Sequence, residues 1–302
     1  MNAVVDVTDA ELLAELAPVG LGWRESGHAV LTGPLYRLAA DCDQGFATVA
    51  AAFGAEPEQH PAMIDARELQ RVAYLESFPQ LATFPVGLDP ADLDTFAGRD
   101  PLDADGAVRL TRTAPVRELL TPAACYHLYP HHRGERLVAP AYLTTVNTCF
   151  RREKYYRPLR RQWSFRMREL VCLGGRAEVV AFLKRGRDAV DALCRELDLP
   201  IRWEVATDPF FRPAQNPRWL AQRLRPTKHE ATFGDLAIAS VNLHEDTFGA
   251  AFDITRDGVP ASSGCVAFGL ERWAYALTRR HGADPANWPD VAAAARVAGV
   301  AS

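Results

Sequence analysis

The stretch CFRREKYYRPLRRQWSFRMREL, Cys149 to Leu170, divides into two β-prone runs separated by a polar loop from Lys154 to Gln162. It predicts a strand, a long connection and a second strand. Side chains two residues apart on a strand share a face. Arg151 and Glu153 therefore pair on one face of the first strand, and Phe165, Met167 and Glu169 on one face of the second. Phe165 to Glu169 covers four residues at ~3.3 Å each, roughly 13 Å along that face.

That length matches an aminoacyl-adenylate from base to amine. An aromatic ring at one end suits adenine, and a carboxylate at the other suits an amine. A guanidinium between them, Arg151, is a bidentate partner for phosphate oxygens. A surface hairpin with a basic loop and an inward Phe165 is the simpler reading of this stretch alone.

Outward from it, the chain alternates strand-like and helical segments without a helix between each pair of strands. AYLTTVNTCF (Ala141 to Phe150), IRWEVAT, EATFGDLAIASVNL and FGAAFDI all read as strands. A capping box at Thr8 and Glu11 opens the first helix, and a strand, a turn at Thr32-Gly33-Pro34 and a helix to Gly54 follow it. AEVVAFLKRGRDAVDALCREL, Ala177 to Leu197, has the 3.6-residue apolar spacing of a long amphipathic helix. A last helix begins near Phe268 and stops at Gly282. This order favours an α+β fold with a mainly antiparallel sheet over a doubly wound parallel one. Neither a Walker-type loop nor GxGxxG after a strand is present.

The 302 residues have ordinary globular composition, 48% hydrophobic and 24% charged. With no repeat or low-complexity linker, they read as a single domain, 1–302, with 1–30 as an N-terminal extension. No apolar run reaches the roughly 18 residues of a membrane span. The acidic start, with Asp6, Asp9, Glu11 and Glu15, is unlike a secretory leader, which implies a cytoplasmic protein. A formal charge of -4 disfavours extensive nucleic-acid binding. Six cysteines without a CxxC pair indicate neither a disulfide framework nor a zinc ribbon.

A second stretch changes the weight of the first. In SSGCVAFGLERW, Ser262 to Trp273, a thiol at Cys265 stands between Gly264 and Gly269, with Arg272 three residues further on. Phe150-Arg151-Arg152-Glu153, then Arg161, Phe165 and Glu169, resemble the second signature motif of class II aminoacyl-tRNA synthetases. SSGCVAFGLERW resembles their third motif, a glycine-bearing strand entering a helix with Arg272 in its first turn. The resemblance covers roughly Gly33 to Pro285 and implies a class II synthetase-like catalytic core.

Within that superfamily the chain is most similar to the amino acid:[carrier protein] ligases, relatives of the atypical zinc-dependent seryl-tRNA synthetases. That resemblance implies a zinc site made by Cys125, Glu169 and Cys265. Three protein ligands leave tetrahedral zinc one open position, which a neutral α-amino group can fill. A second grouping, Cys125, His127, His131 and His132 in CYHLYPHH, is an alternative local cluster, although hydrogen-bonded histidines in a turn explain it as simply. Two buried thiols packing as small hydrophobes are the alternative for Cys125 and Cys265.

The family pattern further implies that Arg151 contacts the α-phosphate of ATP, Glu153 the adenine edge, Phe165 the adenine face, and Arg161 and Arg272 the outer phosphates. Arg151 and Arg272 are the expected catalytic residues. Lys228, Glu230 and Asn242 are expected in the substrate pocket. The acidic residue that synthetases use for magnesium falls at Leu236-Ala237 here, leaving Asp235 and Glu245 as substitutes. Gly264 and Gly269 are expected to let backbone approach the ligand.

The implied activity is ATP-dependent activation of a small amino acid, glycine or alanine, as its adenylate. Transfer to the phosphopantetheine thiol of a carrier protein follows. With no coiled-coil arm or anticodon module and a negative charge, tRNA is the disfavoured acceptor. A seryl-type zinc synthetase and a non-catalytic paralogue are the alternatives. Class II cores commonly pair, so a homodimer is implied. The docking surface for a carrier is expected at Arg157 and Arg160, or around Lys184, Arg185 and Arg187, on charge complementarity.

Overall fold

The computed structural model describes residues 8–300, and the first acidic residue of the N-terminal stretch, Asp6, lies outside them. Helix α1 (Asp9–Leu16) starts at Thr8, whose side chain accepts from the Glu11 N–H while the Glu11 carboxylate accepts from the Thr8 N–H. Its Leu12 and Leu16 are buried in the same core as the following helix, α2 (Gly33–Ala52). A two-stranded hairpin, Leu21–Arg24 with His28–Leu31, joins them.

The centre is a seven-stranded sheet, counted among the described residues. Its strands are β1 (Glu56–Glu58), β2 (Ala141–Phe150), β3 (Ser164–Gly174), β4 (Arg202–Val205), β5 (Lys228–Phe233), β6 (Leu236–Glu245) and β7 (Ser262–Gly269). They lie in the order β1-β2-β3-β7-β6-β5-β4. Every pairing is antiparallel except that of edge strand β1 with β2. The remaining principal helices are α3 (Arg176–Glu196), α4 (Pro217–Leu224), α5 (Leu270–His281) and α6 (Val291–Val300).

Strand periodicity sorts the side chains of β3. Leu170 and Cys172 enter the core formed with α2, α3, α5 and α6, whereas Val171 and Leu173 enter a smaller cluster on the opposite face. On the helical face Arg168 forks onto Asp43 of α2 at 2.6 and 3.0 Å. The other face, with Phe165, Met167 and Glu169, is left for a cavity.

Some expectations change. The first strand of the opening stretch ends at Phe150, so Arg151 and Glu153 stand just past it. Arg151 still donates its backbone N–H to the Trp163 carbonyl at 2.9 Å, which aims its side chain back over the sheet. FGAAFDI lies mostly in a short helix, Thr247–Phe252, because Phe248 and Phe252, four residues apart, bury together under the sheet. Gly264 faces α3. A Cβ there would sit 2.9 Å from the Asn242 carbonyl oxygen and from Val179 Cγ1, so its lack of a side chain admits the helix, not a ligand.

Candidate active site

β3, β7, β6 and β5 form the floor of a cavity of about 830 Å³. Its lining includes Arg151, Glu153, Arg161, Phe165, Glu169, Lys228, Glu230, Asn242, Cys125, Cys265 and Arg272, the residues expected for ATP, substrate and zinc. The sheet register explains this convergence. Asn242 lies opposite Cys265, Lys228 opposite Asn242, and Ala267 opposite Glu169.

At one end the donor atoms of Cys125, Glu169 and Cys265 lie within 4.8 Å of one another, all buried. Cys125 arrives on a 3-10 turn, Ala124–His127, whose backbone is tied to the sheet by Glu169. The Ala124 and Cys125 N–H groups donate to Glu169 Oε1 at 2.9 and 3.2 Å. Asn242 Nδ2 lies 3.2 Å from Cys265 Sγ, and His244 Nε2 lies 3.6 Å from it. The other nitrogen of His244 is held 3.1 Å from the hydroxyls of both Tyr129 and Ser263.

Burial, and then the neighbouring Cys265, push the Glu169 carboxyl up to about 8. The shared hydrogen bond with Cys125, together with His244 and Asn242, makes Cys265 the more acidic thiol. The same bond and burial keep the proton on Cys125. Three acidic donors crowded out of water need either protons or a cation, and two thiolates with a carboxylate are a fitting donor set for zinc. These residues fit a metal.

At the other end the groups are cationic. Arg272 projects from the first turn of α5 and is fixed by donation to the Arg160 and Ala237 carbonyls at 3.0 and 2.9 Å. Burial and the nearby Arg151 and Arg161 pull its pKa down to about 10. A guanidinium destabilised by two others marks a place where an anion is stabilised. Arg151 stacks 5.2 Å over the Phe165 ring and donates to the Pro122 carbonyl at 2.9 Å. Arg161 donates to Glu153 Oε2 at 2.7 Å and lies over Tyr155.

The cavity also has a roof that sequence reasoning missed. The segment 206–227, carrying α4, contributes Asp208, Phe210 and Gln222. Lys228 Nζ donates to Asp208 at 2.9 Å, and Gln222 both donates to and accepts from Asp208. Phe210 stacks on Phe78 at 4.9 Å, and Arg218 donates to the Val72 carbonyl at 2.7 Å. The signal was available, because Asn216 followed by Pro217 is a capped helix start, and Asn216 does accept from the Arg218 N–H. His244 was missed for lack of a motif, since its role arises from a β-bulge between Leu243 and Glu245.

Of the two candidate magnesium ligands, Glu245 lines the cavity and Asp235 does not. Asp235 accepts twice from Arg160, at 2.6 and 2.7 Å, and Glu245 accepts from Arg176. Arg160 is buried in that pair and Arg157 donates to Asp9 at 2.9 Å, so both arginines are already held in ion pairs within the chain. His131 and His132 group with Glu58, not with Cys125.

No family model matches the chain. It is 34% identical over 245 residues to amino acid–[acyl-carrier-protein] ligase 1 of Bradyrhizobium diazoefficiens, covering 78% of this chain and 74% of the relative.

The chain belongs to the amino acid–[acyl-carrier-protein] ligase family.

A second ligase of this family from the same organism, ligase 2, is 36% identical over 243 residues, 78% of this chain and 72% of its own length. Among solved structures, the SerRS of Methanopyrus kandleri, in complex with A. aeolicus tRNASec, superposes with a TM-score of 0.80 at 20% identity. The match spans 97% of this chain and 61% of that one. The fold is thus that of class II aminoacyl-tRNA synthetases, and the family is that of the carrier-protein ligases. Among the described residues no helix is long and apolar enough to cross a membrane.

Proposed function

We propose that this ligase activates a small amino acid with ATP and passes it to the phosphopantetheine thiol of a carrier protein. The observation that carries the reading is the polarity of one cavity, with two thiols and a carboxylate at one end and the Arg151, Arg161 and Arg272 cluster at the other. In the first step a carboxylate oxygen of the amino acid bonds to the α-phosphorus of ATP and pyrophosphate leaves. In the second, a thiol sulfur bonds to the acyl carbon and AMP leaves.

The chain's own contribution is alignment and charge neutralisation. Phe165, backed by Arg151, offers a face to adenine, and Glu153 an acceptor to its amino group. Arg151 sits beside the α-phosphate, with Arg161 and Arg272 beyond it on the outgoing pyrophosphate. Cys125, Glu169 and Cys265 are suited to hold Zn²⁺, which when bound supplies a Lewis-acid anchor for the neutral α-amino group. Mg²⁺ would enter with the ATP phosphates. Tyr126, His244 and Phe248 line the cavity beside the thiols, and glycine or alanine is the proposed substrate.

Lys184 is exposed on α3, with Arg185 and Arg187 beside it, and this is the basic face left for an acidic carrier. Charge reversal of Lys184 and Arg185 should slow thiol loading without slowing adenylate formation, and equal slowing of both would refute that surface. The chain is further proposed to pair as a homodimer, and light scattering tests it, a monomeric mass being the contrary result. The single domain and a cytoplasmic location complete the reading, with limited proteolysis and cell fractionation as their checks.

The test is Cys265→Ala. The thiol-bound equivalent of metal and ATP–pyrophosphate exchange should be lost together, and a variant that keeps both would overturn the reading.

A further inference from the structure

We propose that Glu58, His131 and His132 form a second divalent-cation site, separate from the cavity and of N/N/O character. Glu58 is the last residue of edge strand β1, and His131 and His132 end the short helical run that starts at Ala124. One oxygen or nitrogen from each lies within 4.8 Å of the others. Four-coordinate zinc places its N and O ligands ~2.0–2.2 Å from the ion, and thus roughly 3.3–3.5 Å apart, which small side-chain movements reach from here.

The surroundings are those of a metal ligand set. His132 presents Nε2 to Glu58 Oε1 at 2.6 Å, while its Nδ1 is held by Glu135 at 2.8 Å. A carboxylate on the far nitrogen of a histidine fixes its tautomer and raises its basicity as a ligand. The second oxygen of Glu58 is held in the same way by His60 Nε2 at 2.8 Å. His60 stacks on His127, ring centroids 5.5 Å apart. His127 is 7% exposed, and its Nε2 has no hydrogen-bond partner among the described residues. Imidazole nitrogens with one carboxylate favour borderline cations such as Zn²⁺, Co²⁺ or Ni²⁺ over Mg²⁺ or Ca²⁺. His131 is exposed, so the ion would keep an open, solvent-facing position.

The position gives such a site a consequence. Cys125 and His131 sit at the two ends of one short helical run. A cation between β1 and its far end would clamp the element whose near end carries a thiol of the cavity. It would fix that thiol's position without touching substrate.

The test uses the full chain loaded with Co²⁺ and freed of excess by gel filtration. The intact protein should hold about two equivalents. Cys125→Ser/Cys265→Ser should hold about one, with weak visible d–d bands and no sulfur-to-cobalt charge-transfer absorption. His131→Ala/His132→Ala in the otherwise intact chain should also hold about one, with the charge-transfer absorption retained. His131→Ala alone, at an exposed position, should weaken the second equivalent at least ~10-fold without altering the circular dichroism. The proposal is overturned if the intact protein holds only the thiolate-bound equivalent, or if the sulfur-free equivalent survives loss of both histidines. Failure of the thiolate site leaves the second site standing, so the two readings separate.

Discussion

Gly264 and Gly269 lie five residues apart on one strand, and the structure assigns them opposite roles that a pair of substitutions can separate. At Gly264 an added methyl meets the Asn242 carbonyl and Val179 Cγ1 at 2.9 Å and Leu183 Cδ1 at 3.0 Å. The carbonyl is sheet backbone and cannot swing aside. Overpacking of this kind costs ~1–3 kcal/mol. With an unfolding entropy of roughly 2.1 cal/mol/K per residue, the 302 residues give ~0.6 kcal/mol/K, so Gly264→Ala should lower Tm by ~2–5 °C. At Gly269 the nearest atom to an added methyl is Arg272 Cδ at 3.5 Å, an ordinary contact. Losing glycine at the helix N-cap costs ~0.5 kcal/mol or more, and the stiffer unfolded chain returns ~0.4–1 kcal/mol. Gly269→Ala should therefore leave Tm within about 1 °C while placing a methyl in the nucleotide end of the cavity. Differential scanning calorimetry and ATP–pyrophosphate exchange read the two effects. Gly264→Ala should lose stability with an ATP KM near that of the parent, and Gly269→Ala should raise the ATP KM at unchanged Tm. The reverse pattern would refute the assignment of the two faces.

Arg272→Lys keeps the charge but cannot bridge the Arg160 and Ala237 carbonyls while facing the cavity. Exchange should fall ~10²-fold, as when one transition-state donor is removed, and an unchanged kcat would contradict its place beside the phosphates. Lys228→Met strips the cation from half-buried Asp208, so hydrogen exchange should show segment 206–227 opening and the KM for amino acid rising. Burial raises the Asp208 pKa, but Lys228 outweighs it and the net shift is downward. The stability from this pair is therefore complete above the ordinary carboxylate pKa of ~3.9 and is lost only as pH falls through the lower folded value. A roof that opens between pH 5 and 7, readable by the same exchange protection, would contradict it.

The sheet floor was legible because its strands alternate. Ala141–Phe150 matches the run read from β-propensity, and Phe165, Met167 and Glu169 share the face their spacing required. The thiol–carboxylate cluster was legible only through the family resemblance, since Cys125 and Cys265 are 140 positions apart and no local spacing joins them. The roof's helix start was legible at Asn216-Pro217, but its place over the cavity was not, because 206–227 is anchored by tertiary contacts, an ion pair to Lys228 and a ring stack on Phe78. Helix α6 was missed for a related reason. Its alanine-rich run, Val291–Val300, shows little polar-apolar contrast, and what holds it is burial of Ala294, Ala295 and Ala298 in the helical core shared with α2. The glycines of SSGCVAFGLERW were misread as a pair because the 2.0-residue alternation that separates them was not applied there.

The central claim concerns the acceptor, and one measurement reaches it directly. The enzyme is first incubated with ATP and a labelled small amino acid, and the complex is freed of both. It is then mixed in single turnover with phosphopantetheinylated carrier protein and, separately, with bulk tRNA. The account predicts label moving to the carrier as a hydroxylamine-labile thioester, with none on tRNA. Label on tRNA, or on neither acceptor, would contradict it.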